Sequence, residues 1–340
     1  MKELVKKIFK FIYIKMAIVL VLLGFTGAFS LKAYAGENIN VAFTIDHNYP
    51  LYTMLVIDSI LKNNVSHSDY TFYVINDNLT YWDKFKMTMF VKSKKQKIKF
   101  ITVDTNAINK GKNPYKKTYF CTHVTSIGTA RMMIPKLLPD DVKKILYLDS
   151  DIIVLQDLKE LYDTDLGKYY AAMALDNSYL YLTDEEKRDC TYGNSGVILM
   201  DLDKWRKDNI SEKIIDYATS RQLSLPDQDA INKILEGKIK LLNSKWNNQA
   251  CDGYSFLGID ETAILHYISY KKPWVVFESR KNDSYLELYY NYWENSPLSI
   301  YILTNAYNLF IKKQKKQIYT NRCAIKNLLH PKTSTTVKVK

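Results

Sequence analysis

The stretch KKILYLDSDIIVLQDL, Lys143 to Leu158, decides how this chain reads. Ile145, Leu146 and Leu148 ahead of the acids, and Ile152, Ile153 and Val154 beyond them, have the apolar, strand-like character of a buried β segment. Asp149 and Asp151 interrupt that run, separated by Ser150. Unpaired carboxylates in such a place repel each other and are costly to desolvate, so a positive partner is expected beside them. A calcium loop of the EF-hand type also begins Asp-x-Asp, but it needs Asp or Asn at its fifth position and Gly at its sixth. Ile153 and Val154 occupy those places. No G-x-x-x-x-G-K-[ST] or G-x-G-x-x-G occurs, so a glycine-loop phosphate cradle is excluded as well. The reading that fits is a D-x-D pair at a strand end, holding a divalent cation.

The segments around the pair set the fold class. INVAFTI (Ile39–Ile45) is a strand, and YPLYTMLVIDSILKNN has helical spacing. DYTFYVIND is a second strand, DKFKMTMFVKSKK is helical and KIKFITVD is a third strand. TARMMIPKLLP reads as a helix closed by Pro139, ahead of the acid-bearing strand. KYYAAMALD, Val197–Met200 and AILHYISYKKPW add further strands, and SLPDQDAINKIL a helix opened by Ser224 or Asp227. Strands alternating with helices predict an α/β fold with a mostly parallel sheet, whose ligands sit at the carboxyl ends of the strands. Asp46, Asp149, Asp151 and Asp176 all fall at such ends.

Composition bounds the rest. With 340 residues, 47% hydrophobic and 25% charged, the chain is an ordinary folded protein. Cys121, Cys190, Cys251 and Cys323 form no C-x-x-C pair, which argues against a zinc ribbon. The net charge of +12 is concentrated at the end: no acid follows Glu294, whereas nine lysines and arginines do, from Lys312 to Lys340. Residues 298–340 therefore read as a basic helical tail suited to an anionic membrane surface. No nucleic-acid motif accompanies that charge. Residues 1–36 combine a lysine-rich start, the apolar run Met16–Leu31 and Ala33-Tyr34-Ala35, the layout of a signal peptide or an uncleaved anchor. The expected localisation is membrane-associated, with residues 37–297 as one catalytic domain.

From about Asn38 to Pro297 the chain resembles the retaining glycosyltransferases of family 8, and most closely the bacterial lipopolysaccharide galactosyl- and glucosyltransferases. Six motifs in order carry the resemblance: FTIDHNY, GTARMMIPKLLP, LYLDSDIIVLQDLKELYDTDL, NSGVILMDLDKW, LPDQDAIN and HYISYKKPW. It implies a GT-A type, Rossmann-like mixed sheet, and a hexosyltransferase moving galactose or glucose from UDP-galactose or UDP-glucose to a saccharide or glycolipid acceptor. A secreted or luminal transferase acting on a protein is the alternative.

Position by position, the resemblance makes Asp149, Asp151 and His266 metal ligands, with Mn2+ favoured by the imidazole and Mg2+ as the alternative. It places Asp46, Asn48 and Tyr49 on the uracil and ribose, and Arg131, Ser150 and Lys272 on the rest of the donor. Asp176, Asn194, Asp227 and Gln228 surround the transferred sugar. Gln228 is a poor nucleophile, so retention is expected through a short-lived oxocarbenium ion attacked from the leaving-group side. His266 alone would be an ordinary core histidine, and Asp229 a helix-start acid. Trp205 and Trp274 read as core or cleft wall. Three positions depart from the family pattern: His47, where relatives often carry a second acid; Ser269, for a usual glycine; and Gly193, where an aromatic residue is common.

Overall fold

Strand β1 (Asn38–Ile45) lies inside a seven-stranded sheet of order β3-β2-β1-β4-β7-β6-β8, formed by β2 (Asp69–Asn76), β3 (Lys97–Thr102), β4 (Lys144–Leu148), β6 (Ala171–Met173), β7 (Val197–Asp201) and β8 (Ile239–Leu241). The structure, a computed structural model, describes residues 38–108, 126–177, 191–251, 255–268, 272–274 and 283–299. Pairing is parallel at β1–β2, β2–β3, β1–β4 and β6–β8. It is antiparallel at β4–β7 and β6–β7. The sheet is thus mixed and mostly parallel, as the segment order implies. Residues 1–36, Ser269, Cys121, Cys190, Cys323 and the tail from residue 300 lie outside the described residues. Cys251 is a free, exposed cysteine. Among the described residues no helix is long and apolar enough to cross a membrane.

Strands β1 and β2 are apolar on both sides because helices cover both faces. On one face Val41, Phe43, Phe72 and Val74 pack with Met54 and Leu55 of α1 (Pro50–Lys62) and with Met87 and Val91 of α2 (Tyr81–Ser93). On the other, Ala42, Tyr73, Tyr147 and Ile198 pack with Ala130, Met132, Trp205 and Ile231. Among the described residues the short helices are α3 (Thr105–Ile108), α4 (Ile134–Leu137), α5 (Lys159–Tyr162), α6 (Leu202–Lys207), α7 (Ile210–Ser220) and α8 (Pro226–Ile234), with α9 (Ser284–Glu294) after them. Leu298, read from sequence as the start of the tail, is buried in the first core.

A second sheet of order β5-β10-β9 departs from the sequence expectation and builds half of the site. The chain leaves the large sheet at Leu148 and enters β5 (Ile152–Val154), which pairs antiparallel with β10 (Ile264–Tyr267), itself parallel to β9 (Asn248–Ala250). The acid pair therefore occupies the joint between two sheets.

Two local expectations are corrected. TARMMIPKLLP is not one α-helix: its first residues belong to a 3-10 helix, Ser126–Met133, and the short α4 follows. Pro135 cannot donate to the carbonyl four residues back, so a continuous helix cannot cross it. Helix α8 starts at Pro226 with Leu225 at its cap position; Asp227 lies inside the first turn, its carboxylate engaged by Arg131. Asp229 does serve the helix start, accepting the Leu225 N–H at 2.9 Å.

Trp205 is 1% exposed, and its indole N–H donates to the Tyr170 carbonyl at 2.9 Å. Trp205→Ala should cost about 3–5 kcal/mol of stability, read as a lower urea midpoint with a nearly unchanged slope.

Candidate active site

Asp149 follows β4 directly, and its N–H still bonds the Gly196 carbonyl at 2.8 Å, prolonging the β4–β7 ladder by one step. Two residues on, the Asp151 carbonyl accepts the Tyr267 N–H at 2.9 Å, which belongs to the small sheet. Each carboxylate meets its own cation. Arg131 reaches Asp149 Oδ1 through Nη2 at 3.1 Å, and Lys272 reaches Asp151 Oδ2 at 2.6 Å. Tyr147 also donates its hydroxyl to Asp149 Oδ1. Burial pushes the Asp149 carboxyl up, against the pull of Arg131. Burial acts the same way on Asp151, but the Lys272 ammonium, joined by His266 when its ring is charged, outweighs it and holds that carboxyl below the usual range.

His266 completes the cluster from β10. Its Nε2 lies 3.3 Å from Asp151 Oδ1 and 3.9 Å from Asp149 Oδ2. The neighbouring network fixes which ring nitrogen faces the acids. The Gly196 N–H donates to Asn194 Oδ1 at 3.0 Å, so the Asn247 group facing that oxygen at 2.9 Å must be its Nδ2. Asn247 Oδ1 then faces His266 Nδ1 at 2.9 Å and accepts its proton. In the neutral ring the Nε2 lone pair is left aimed at the two carboxylates.

One ligand atom from each of Asp149, Asp151 and His266 lies within 4.8 Å of the others, and Asp151 Oδ1 is buried without a hydrogen-bond donor. Such a set of oxygen and nitrogen donors fits a divalent cation. Gly196 is required for this packing, because a Cβ there would stand 2.2 Å from His266 Cε1.

The same network continues to the acids expected around a sugar. Asn194 Nδ2 donates to Asp176 Oδ2 at 2.8 Å, and Gln228 Nε2 donates to the same oxygen at 3.0 Å. The Ser195 N–H donates to Gln228 Oε1 at 2.9 Å, which fixes the orientation of that amide. Asp227 Oδ2 accepts from Arg131 Nε at 3.0 Å. Arg131, 8% exposed, therefore ties Asp149 to Asp227 and also donates to the Ser195 carbonyl at 3.1 Å.

At the other end, Asp46 is buried just past β1 and accepts the Asn48 N–H at 2.8 Å, in a turn leading into α1. Tyr49 lies near Asp151, Asp46 and Asp149; burial first, then those acids, push its phenol up. Ser150 turns toward α1, pairing with Thr53 Oγ1 at 2.9 Å. Trp274 is cleft wall, stacked on Tyr52 with ring centres 3.9 Å apart, two residues from Lys272. Of the departures, His47 pairs with Asn78 through both backbone and ring. Gly193 admits no side chain, since a Cβ would meet Met173 Cβ at 2.8 Å.

The sequence reading missed Asn247, Asn232 and Tyr147. Asn232 grips both the N–H and the carbonyl of Gly193, at 2.7 and 2.8 Å. The polar run Asn247-Asn248-Gln249 between Trp246 and Ala250 was the available signal, for all three polar residues are buried.

A mixed sheet with an acid pair at its carboxyl edge, an imidazole facing that pair and amide-bound acids beyond it is the framework of a glycosyltransferase. The chain belongs to glycosyl transferase family 8, whose profile matches residues 40–276. General stress protein A of Bacillus subtilis is 28% identical to it, over 75% of this chain and 93% of that protein. A lipopolysaccharide 1,2-glucosyltransferase of Escherichia coli is 26% identical, covering 77% of this chain and 81% of its own. The crystal structure of the galactosyltransferase LgtC with donor and acceptor sugar analogues superposes with a TM-score of 0.63 at 23% identity, over 75% of this chain and 95% of that one, which establishes the shared fold.

Asn247→Ala removes the acceptor that orients His266. It should weaken divalent-cation binding about 10–100-fold, measured by calorimetric titration.

Proposed function

We propose that this glycosyltransferase is a retaining hexosyltransferase that takes galactose or glucose from a UDP-sugar and adds it to a saccharide or glycolipid acceptor in surface-glycan synthesis. The observation that carries this reading is the unbroken hydrogen-bonded chain from His266 through Asn247 and Asn194 to Asp176 and Gln228. It holds a cation-binding cluster and a hydroxyl-accepting carboxylate in fixed relation, as transfer of a sugar from a diphosphate requires. The relatives named above, one of them a lipopolysaccharide glucosyltransferase, support the choice of hexose and acceptor class.

Asp149, Asp151 and His266 would hold Mn2+, which when bound offsets the charge that builds on the departing diphosphate. Lys272, already at this end of the site, places its ammonium beside the same phosphates. Asp46 accepts the uracil N3–H, with Asn48 and Tyr49 along the nucleoside. Asp176 and Asp227 accept hydrogen bonds from hydroxyls of the transferred sugar, and Arg131 holds the Asp227 carboxylate in place beside them.

Gln228 is clamped between the Ser195 N–H and Asp176, so its amide presents a dipole rather than a nucleophile. The sugar carbon then passes through an oxocarbenium ion, and the acceptor attacks from the face the phosphate leaves. The acceptor's proton goes to that phosphate. Membrane attachment through residues 1–36 belongs to the same proposal, and cell fractionation with sequencing of the mature N-terminus tests it.

UDP release measured across UDP-sugars with Mn2+ should single out UDP-glucose or UDP-galactose. Asp149→Asn combined with Asp151→Asn should lower that release roughly a thousandfold, the equivalent of several kcal/mol of charge stabilisation. Gln228→Ala should keep roughly a tenth to a hundredth of the turnover. A sugar adduct on any side chain, detected by mass spectrometry, would refute the proposed route.

A further inference from the structure

Helix α2 is apolar on two opposite faces. Met87 and Val91 are buried against the core, whereas Tyr81, Trp82, Phe85 and Met89 are 73%, 64%, 44% and 44% exposed. At 3.6 residues per turn, positions 81, 85 and 89 follow one another along the outward face with Trp82 beside them. The rings form a cluster of their own: centroids lie 5.5 Å apart for Tyr81–Trp82, 6.3 Å for Tyr81–Phe85 and 5.8 Å for Trp82–Phe85.

Lys86 and Lys92 are exposed on this same face, and exposed Lys95 follows the helix. The acid of the helix, Asp83, is held in the capping box with Thr80, accepting from the Thr80 N–H and hydroxyl. The outward face is thus aromatic at its centre and cationic at its margin. Core packing does not call for it, because α2 already anchors itself through Met87 and Val91.

We propose that this face of α2 seats on an anionic lipid bilayer, with Tyr81, Trp82 and Phe85 in the headgroup region and Lys86 and Lys92 on lipid phosphates. Aromatic side chains with an apolar body and a polar tip favour that interface, and lysines beside them add attraction to anionic lipid. The charge selects this occupant over a second copy of the chain, since two such faces brought together would oppose lysine to lysine. Placement agrees with the docking. Helix α2 starts just past the carboxyl end of β2, the edge of the sheet that also carries Asp46 and Asp149, and Asn78 in the intervening turn bonds His47. A bilayer under α2 therefore lies next to the mouth of the cleft. The inference needs neither the apolar leader nor the basic tail.

The chain carries its own reporter. Of its five tryptophans, Trp205, Trp246 and Trp293 are buried and Trp274 is stacked on Tyr52, which leaves Trp82 as the exposed one. The full chain is mixed with vesicles of three parts phosphatidylcholine to one part phosphatidylglycerol with brominated acyl chains, and tryptophan emission is recorded. Quenching is expected in the native chain and absent in Trp82→Phe. It should fall roughly tenfold in the variant carrying Lys86→Glu and Lys92→Glu, and vesicles of phosphatidylcholine alone should give little.

Unquenched Trp82 in chain that nonetheless sediments with the vesicles would overturn the proposal, placing membrane contact in the leader or the tail. Equal quenching by neutral vesicles, or by the Lys86→Glu/Lys92→Glu variant, would overturn it too. So would a doubled mass in light scattering that Phe85→Asp abolishes, which would assign the face to a second copy.

Discussion

Everything in this site depends on two carboxylates forced together where the chain passes from one sheet to another. Asp149 still belongs to the ladder of the large sheet, and Asp151 already bonds the small one. Their repulsion is answered separately, by Arg131 from the 3-10 helix on one side and Lys272 on the other. Each cation comes from an element that also shapes the cleft. Electrostatic relief and site construction are therefore the same set of contacts, which explains why so much positive charge gathers where little solvent reaches it.

The amides give the cluster its directionality. Backbone N–H groups of Ser195 and Gly196 set the orientation of Gln228 and Asn194, and Asn194 sets that of Asn247. Asn247 in turn decides which nitrogen of His266 faces the acids. A buried network of this kind is satisfied as a whole or costly as a whole, so its members are held to one rotamer each. The glycines at 193 and 196 belong to it through what they lack: Met173 and His266 fill the space a side chain would take.

Much of this was legible in the residues. Strands β1 and β2 follow from apolar runs, β3 from the alternation of lysines with apolar residues and helices α1 and α2 from 3.6-residue spacing, and the acids fall where strands stop. The acid pair, His266, Asp176 and Gln228 do converge. What stayed hidden has a common cause. The small sheet is made of strands three and four residues long, too short for any periodicity, and it joins segments more than a hundred residues apart. Asn247 and Asn232 look like turn residues until their partners are known. Arg131 was expected on the donor; its guanidinium is engaged by Asp149 and Asp227, a bridge that no local pattern announces. Pro135 marks where the 3-10 helix gives way to α4, but nothing in the local pattern announces the 3-10 geometry of Ser126–Met133 itself.

The pairing of β10 with β5 has a consequence for tolerance to change. His266 stands opposite Ile152, one residue past Asp151, and the next peptide along is bonded to the Asp151 carbonyl. The reach of the imidazole toward the acids is consequently written in main-chain registration, which is blind to side-chain identity and to the length of whatever connects the two strands. Exposed loops between them can lengthen, shorten or drift in composition while the cage stays intact, provided that Gly196 and Asn247 keep their places against the ring. A slip of a single rung would instead swap the histidine for Leu265 or Tyr267 and erase it at once.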